Sequence, residues 1–88
     1  MTIYCGVDFH ARKQMICYCD SSIGEINSLE LSHTDADQIS NFYTQFQGEV
    51  VVGLEAGGYS AWFEELLEGL GHKVLLGNAA QIRRLARR

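Results

Sequence analysis

Val50-Val51-Val52-Gly53-Leu54-Glu55-Ala56-Gly57-Gly58-Tyr59 is the stretch whose reading decides the fold. From Glu49 to Leu54 the chain is nearly all apolar, as a strand covered on both faces of a parallel sheet requires. The run ends in a single carboxylate, Glu55, then a Gly-Gly pair, then a helical pattern from Tyr59 to Leu70. Removing a charge from water is costly unless it is paired or holds a metal. A carboxylate at the tip of a buried strand, facing a helix N-terminus, therefore marks a place where chemistry is expected.

Working outward, the helix after Glu55 carries Trp62, Phe63, Leu66, Leu67 and Leu70 at core spacing, a stripe that reads as packing. Gly71 stands where a left-handed cap belongs. A fifth strand follows over His72–Leu76, and a third helix from Ala79 onward, with Ile82, Leu85 and Ala86 inward and arginines outward. Before the central stretch, Thr34 is the expected N-cap of a helix bearing Ala36, Ile39, Phe42, Tyr43 and Phe46 on one face, closed by Gln47-Gly48. Three strands precede it: Ile3–Asp8, Lys13–Asp20 and Glu25–Leu31, the last two joined by an Asp20-Ser21-Ser22-Ile23-Gly24 hairpin turn. Short turns make these three an antiparallel meander. Right-handed crossovers then set the fourth strand beside the first and the fifth beside the fourth. The expected fold class is α/β, a mixed five-stranded sheet of order 3-2-1-4-5 with strand 2 antiparallel and helices on both faces. Asp8 and Glu55 would then share one edge, the C-terminal edge where open α/β sheets place their sites.

The bulk properties fit one small domain of 88 residues, 47% hydrophobic and so not disordered by composition. No apolar run approaches the length of a membrane span, and the N-terminus lacks the pattern of a signal peptide. The expectation is a soluble, cytoplasmic protein without a membrane partner. Cys5, Cys17 and Cys19 are an odd number on strand-like segments and read as reduced core thiols; Cys17-x-Cys19 lacks the wider spacing and second pair of zinc sites. Net charge is −4, unevenly spread: Arg83, Arg84, Arg87 and Arg88 crowd the end, leaving three basic against eleven acidic residues, −8, over 1–82. The basic end is a candidate nucleic-acid contact. A solvated helix terminus, where cations are favourable anyway, is the other reading.

Two carboxylates at one sheet edge repel unless a cation lies between them. Hard oxygen donors on rigid strand tips suit Mg²⁺ or Mn²⁺, and two such ions can clamp the attacking and leaving oxygens of a phosphodiester. Against this, single acids at strand ends commonly cap turns or helices. His10, two residues beyond Asp8, is either a solvent-facing loop histidine or a donor to the site. No role is assigned to His33 or His72. Gly57-Gly58 lacks the spacing and lysine of a phosphate loop.

The segments Gly6-Val7-Asp8, Gly53-Leu54-Glu55-Ala56-Gly57-Gly58-Tyr59, Leu70-Gly71-His72-Lys73-Val74 and Asn78 through Arg84 resemble the N-terminal RuvC-like domain of DEDD insertion-sequence transposases, the group that includes pilin-gene invertases. Gly57 stands where that family usually has threonine. The resemblance implies a ribonuclease H-like fold and a recombinase that cuts and rejoins DNA. Asp8 and Glu55 would be the first two of four catalytic, metal-binding acids. The other two, and a separate serine-bearing domain, would follow beyond Arg88, so residues 1–88 are expected to be a fragment, inactive alone, of a homo-oligomeric protein. In part of the family a guide RNA selects the DNA target. Three rivals stand beside it: a Holliday-junction resolvase-like nuclease, which shares the metal logic; an actin- or sugar-kinase-like ATPase, against which the first turn lacks glycine- or hydroxyl-rich phosphate contacts; and a non-catalytic assembly domain.

Overall fold

A computed structural model describes residues 2–55 and 60–77. Their elements run β1 (Thr2–Phe9), β2 (Lys13–Asp20), β3 (Ile26–Ser32), α1 (Ala36–Thr44), β4 (Glu49–Leu54), α2 (Ala61–Gly69) and β5 (Lys73–Leu76). The five strands form one sheet of order β3-β2-β1-β4-β5. β2 is antiparallel to both β1 and β3, while β4 lies parallel to β1 and to β5. The strand order and the antiparallel second strand are therefore those expected from the sequence.

Period-2 alternation sorts the sheet into two faces. Ile3, Cys5 and Val7 of β1, Gln14 and Ile16 of β2, and Val50, Val52 and Leu54 of β4 are buried. Most of them form one cluster with Ile39, Phe42 and Tyr43 of α1 and Phe63 and Leu67 of α2. The Tyr43 and Phe63 rings touch edge to face at 5.2 Å, so the two helices lie side by side on that one face. The arrangement follows from topology: both crossovers, β3-α1-β4 and β4-α2-β5, travel in the same direction across the sheet, so one handedness sends both helices to one side. The expected third helix, from Ala79 onward, lies outside the described residues.

The fully buried face contains one polar side chain, Gln14, and it is satisfied on both sides. Tyr43 Oη donates to Gln14 Oε1 at 2.6 Å. Gln14 Nε2 lies 3.0 Å from His33 Nε2, and His33 Nδ1 is 3.4 Å from the Ala11 carbonyl. Gln14 Nε2 can only donate, so His33 Nε2 must accept and Nδ1 carries the proton. The relay runs from α1 through the core to the β1–β2 turn. The His33 amide reinforces it, donating to the Arg12 carbonyl at 2.7 Å.

The helix ends differ from expectation in informative ways. α1 is capped by Asp35, not Thr34: the Asp35 carboxylate accepts from the Gln38 amide at 3.1 Å. Thr34 instead shares a 2.7 Å hydrogen bond with the Ser32 hydroxyl. α1 also stops at Thr44, ahead of the expected Gln47-Gly48 closure. In α2 the core stripe is narrower than the sequence implied. Phe63 and Leu67 are fully buried, whereas Trp62 is 44% exposed, because it sits about 100° round the helix from Phe63. Its ring packs against the edge of the core, 5.7 Å from Phe9 and 5.2 Å from His33. Gly71 ends α2 as expected, with φ +80°. The Gly71 amide bonds the Glu68 carbonyl and the His72 amide bonds the Leu67 carbonyl, each at 3.0 Å, which is the Schellman pattern.

Cys5, Cys17 and Cys19 are free thiols, with Cys5 and Cys19 buried, in line with the core reading. Burial pushes the Cys5 thiol up to about 12. Among the described residues no helix is long and apolar enough to cross a membrane.

Candidate functional site

The C-terminal edge of β1 and β4 is built by register. The two strands pair in parallel from Thr2 with Glu49 through to Val7 with Leu54. Asp8 is the residue after Val7 and Glu55 the residue after Leu54. The two acids are therefore in step at neighbouring strand tips, on strands whose axes lie about 4.8 Å apart. Both are exposed, while the residues preceding them, Val7 and Leu54, are fully buried. The buried part of each strand thus fixes where its acid emerges.

Alternation places Asp8 on the face away from Ile3, Cys5 and Val7, hence away from α1 and α2. One step back on that face, Gly6 pairs with Gly53. Neither carries a side chain, and both are covered, Gly53 buried and Gly6 half-buried, as where another segment packs closely on the backbone.

His10 Nε2 lies 3.2 Å from Asp8 Oδ2, with side chains 54% and 62% exposed. At that exposure the contact contributes about 0–1 kcal/mol to stability. Its value is positional, since it sets an imidazole beside one candidate acid. The His10 amide donates to the Lys13 carbonyl at 2.9 Å, closing the turn that carries it. His10 is thus a solvent-facing loop residue, as one reading expects, and lies within reach of the Asp8 carboxylate.

Two exposed carboxylates on adjacent rigid tips are a donor set that fits a hard divalent cation such as Mg²⁺ or Mn²⁺. Among the described residues no group of three or more His, Cys, Asp or Glu side chains converges as a metal site. Asp8 and Glu55 would therefore supply part of a coordination sphere. Arg83, Arg84, Arg87 and Arg88 lie outside the described residues, as do Ala56, Gly57, Gly58 and Tyr59.

Sequence reasoning gave no role to His33 and His72; His33 braces this edge, whereas His72 acts at the opposite end of the sheet. His33 stacks on Phe9 with centroids 4.6 Å apart, directly after Asp8 in the chain. His72 Nε2 is 2.7 Å from the Tyr43 carbonyl, tying the start of β5 to α1. The available signal was Gln14, a polar residue at a core position of β2, which had to have a buried partner somewhere.

No protein-family model matches the sequence, and no curated protein matches it. Among solved structures, the chain is similar to the crystal structure of the catalytic core domain of BIV integrase, with a TM-score of 0.52 and 12% sequence identity. The match covers 99% of this chain and 64% of that one, so the chain spans somewhat under two thirds of the integrase core. At that identity the likeness concerns the fold, and the fold is ribonuclease H-like.

Proposed function

We propose that this chain is the N-terminal part of the RuvC-like catalytic domain of a DNA transposase or site-specific recombinase. The observation that carries the reading is the β1–β4 register, which brings Asp8 and Glu55, 47 residues apart, to the same edge of a ribonuclease H-like sheet. The sequence resemblance to DEDD transposases independently assigns catalytic roles to the same two positions.

In this reading Asp8 and Glu55 hold Mg²⁺ or Mn²⁺ together with acids supplied from beyond Arg88. When bound, the ions would polarise a backbone phosphate and stabilise charge on the attacking and leaving oxygens. The chain's own part is to hold two carboxylates at fixed spacing. Buried β1 and β4 give that spacing its rigidity. His10 orients the Asp8 carboxylate through Oδ2. The arginines at 83, 84, 87 and 88 would contact nucleic-acid backbone, an interaction that weakens as salt rises. DNA is the substrate and the working protein a homo-oligomer; residues 1–88 alone are inactive.

The test is DNA strand cleavage and joining by the longer protein that contains this chain. Asp8→Asn and Glu55→Gln should each lower the rate by roughly a hundredfold or more, the scale on which one transition-state-stabilising group acts. Mn²⁺ binding followed by electron paramagnetic resonance should weaken in both variants. Full activity in both, with the fold intact by circular dichroism, would overturn the proposal. Thermal stabilisation by ATP would point instead to the ATPase relatives of this fold.

A further inference from the structure

At the opposite edge of the sheet from Asp8 and Glu55, a cleft of about 410 Å³ opens between the β2–β3 hairpin and the end of α1. Tyr18 and Phe46 line it, together with Ile3 of the buried core. Asp20 and Glu25 are the cleft's ionisable carboxylates, and among the described residues no lysine, arginine or histidine lines it. Its volume is in the range of sites that take small ligands or side chains.

Three features give the cleft a common electrostatic sign. Asp20 accepts from the Ser22 hydroxyl at 2.6 Å and the Ser22 amide at 2.8 Å, both through Oδ1, which fixes the carboxylate. Those bonds, with a smaller contribution from the charge of the amino terminus, hold its carboxyl below the usual carboxylate range, so it is charged at neutral pH. The cleft also abuts the C-terminus of α1, where the helix dipole is negative, and the last turn of that helix carries no basic residue. The walls add the faces of aromatic rings: Tyr18 and Phe46 lie 6.0 Å apart, centroid to centroid, and both pack on Phe42 at 5.3 Å. Ring faces attract cations, and a flat guanidinium above all, because it can stack while its edges donate to carboxylates.

We infer that the cleft between the β2–β3 hairpin and the end of α1 is a recognition site for an arginine side chain presented by a partner polypeptide. The guanidinium stacks against Tyr18 and Phe46 and donates to Asp20 and Glu25, while its aliphatic stem crosses Ile23, which stands 71% exposed at the hairpin tip. The assignment rests on this edge alone and stands or falls independently of the chemistry proposed for Asp8 and Glu55.

The probe is acetyl-Gly-Arg-Gly-amide, titrated into the isotopically labelled 88-residue chain and followed by amide chemical shifts. Shift changes should centre on residues 18, 20, 23, 25 and 46. The lysine counterpart should bind more weakly and the uncharged citrulline counterpart should fail. Glu25→Gln should weaken binding about fivefold, the scale of one partly exposed ion pair, and Phe46→Leu by a similar factor. Glu25 is exposed, so its variant tests the site without touching the core. Absence of localised shifts, an equal response to the citrulline peptide, or an equal response to lysine would each overturn the assignment.

Discussion

Tyr43→Phe isolates one hydroxyl at the centre of the fold. Tyr43 and Gln14 are both fully buried, and Gln14 Oε1 accepts a 2.6 Å hydrogen bond from Tyr43 Oη. Deleting the hydroxyl removes few packing atoms but strands a buried amide oxygen, which costs about 1–3 kcal/mol. For a domain this small, 1 kcal/mol corresponds to roughly 4–8 °C in Tm, so a loss near 2 kcal/mol should lower Tm by about 8–16 °C. The assay is urea unfolding followed by near-ultraviolet circular dichroism, with a Gln14→Leu variant and the double variant completing a cycle. Gln14→Leu alone leaves both Tyr43 Oη and His33 Nε2 without their partner. The double variant should cost less than the sum of the two single ones, because it removes donor and acceptor together. A Tyr43→Phe protein within about 0.5 kcal/mol of the parent, or strict additivity in the cycle, would refute the claim that this relay is closed and matters.

Further outcomes follow from individual groups. Burial raises the Cys5 thiol from 9.0 to about 12 and pushes the Tyr43 phenol well above its ordinary value, with Cys5 adding to the latter. Both groups are neutral in the folded state; the Cys5 contribution is complete below pH 9 and is lost as pH rises toward 12, and that of Tyr43 is complete below pH 10 and is lost above it. Each should add up to about 1.4 kcal/mol of destabilisation per pH unit in that window, and Cys5→Ala should flatten the fall when unfolding is measured across it. Gly71→Ala and Gly69→Ala should have opposite signs. A Cβ meets nothing within 4 Å at either position, but only Gly71 has φ +80°. Gly71→Ala should therefore cost about 1 kcal/mol, while Gly69→Ala should gain a few tenths to about 1, measured by thermal denaturation. The 88-residue chain, with two of the expected acids, should bind Mn²⁺ only weakly by calorimetry; micromolar affinity that Asp8→Asn abolishes would mean two carboxylates suffice.

The sheet was readable because its signals are local. The all-apolar Glu49–Leu54 run, the alternation in β1 and β2, and the Gly71 cap each follow from a few neighbouring residues. Adding crossover handedness turned that list into a strand order and a shared edge for Asp8 and Glu55. What stayed hidden depends on contacts between distant segments. Gln14, Tyr43 and His33 are separated by 19 and 29 residues along the chain from Gln14, and no periodicity joins them. The cap of α1 moved from Thr34 to Asp35 because both are competent caps, and Ser32 took the threonine hydroxyl. Trp62 looked like core by residue type; the width of the buried stripe on α2 is set by Phe9, Tyr43 and the neighbouring strands, which the helix sequence does not contain.

The parallel seam between β1 and β4 also has a kinetic side. Thr2 and Glu49, which close it at one end with a 3.2 Å side-chain bond, are 47 residues apart, whereas the β1–β2 and β2–β3 ladders are closed by short turns. Closing a long loop is entropically slower than zipping a hairpin. The three-strand ribbon should therefore gain hydrogen-exchange protection first, with Asp8 already at its tip and no companion. Only the arrival of β4 sets Glu55 at the tip neighbouring Asp8, so on a nascent polypeptide the two carboxylates would come into step only when this seam closes.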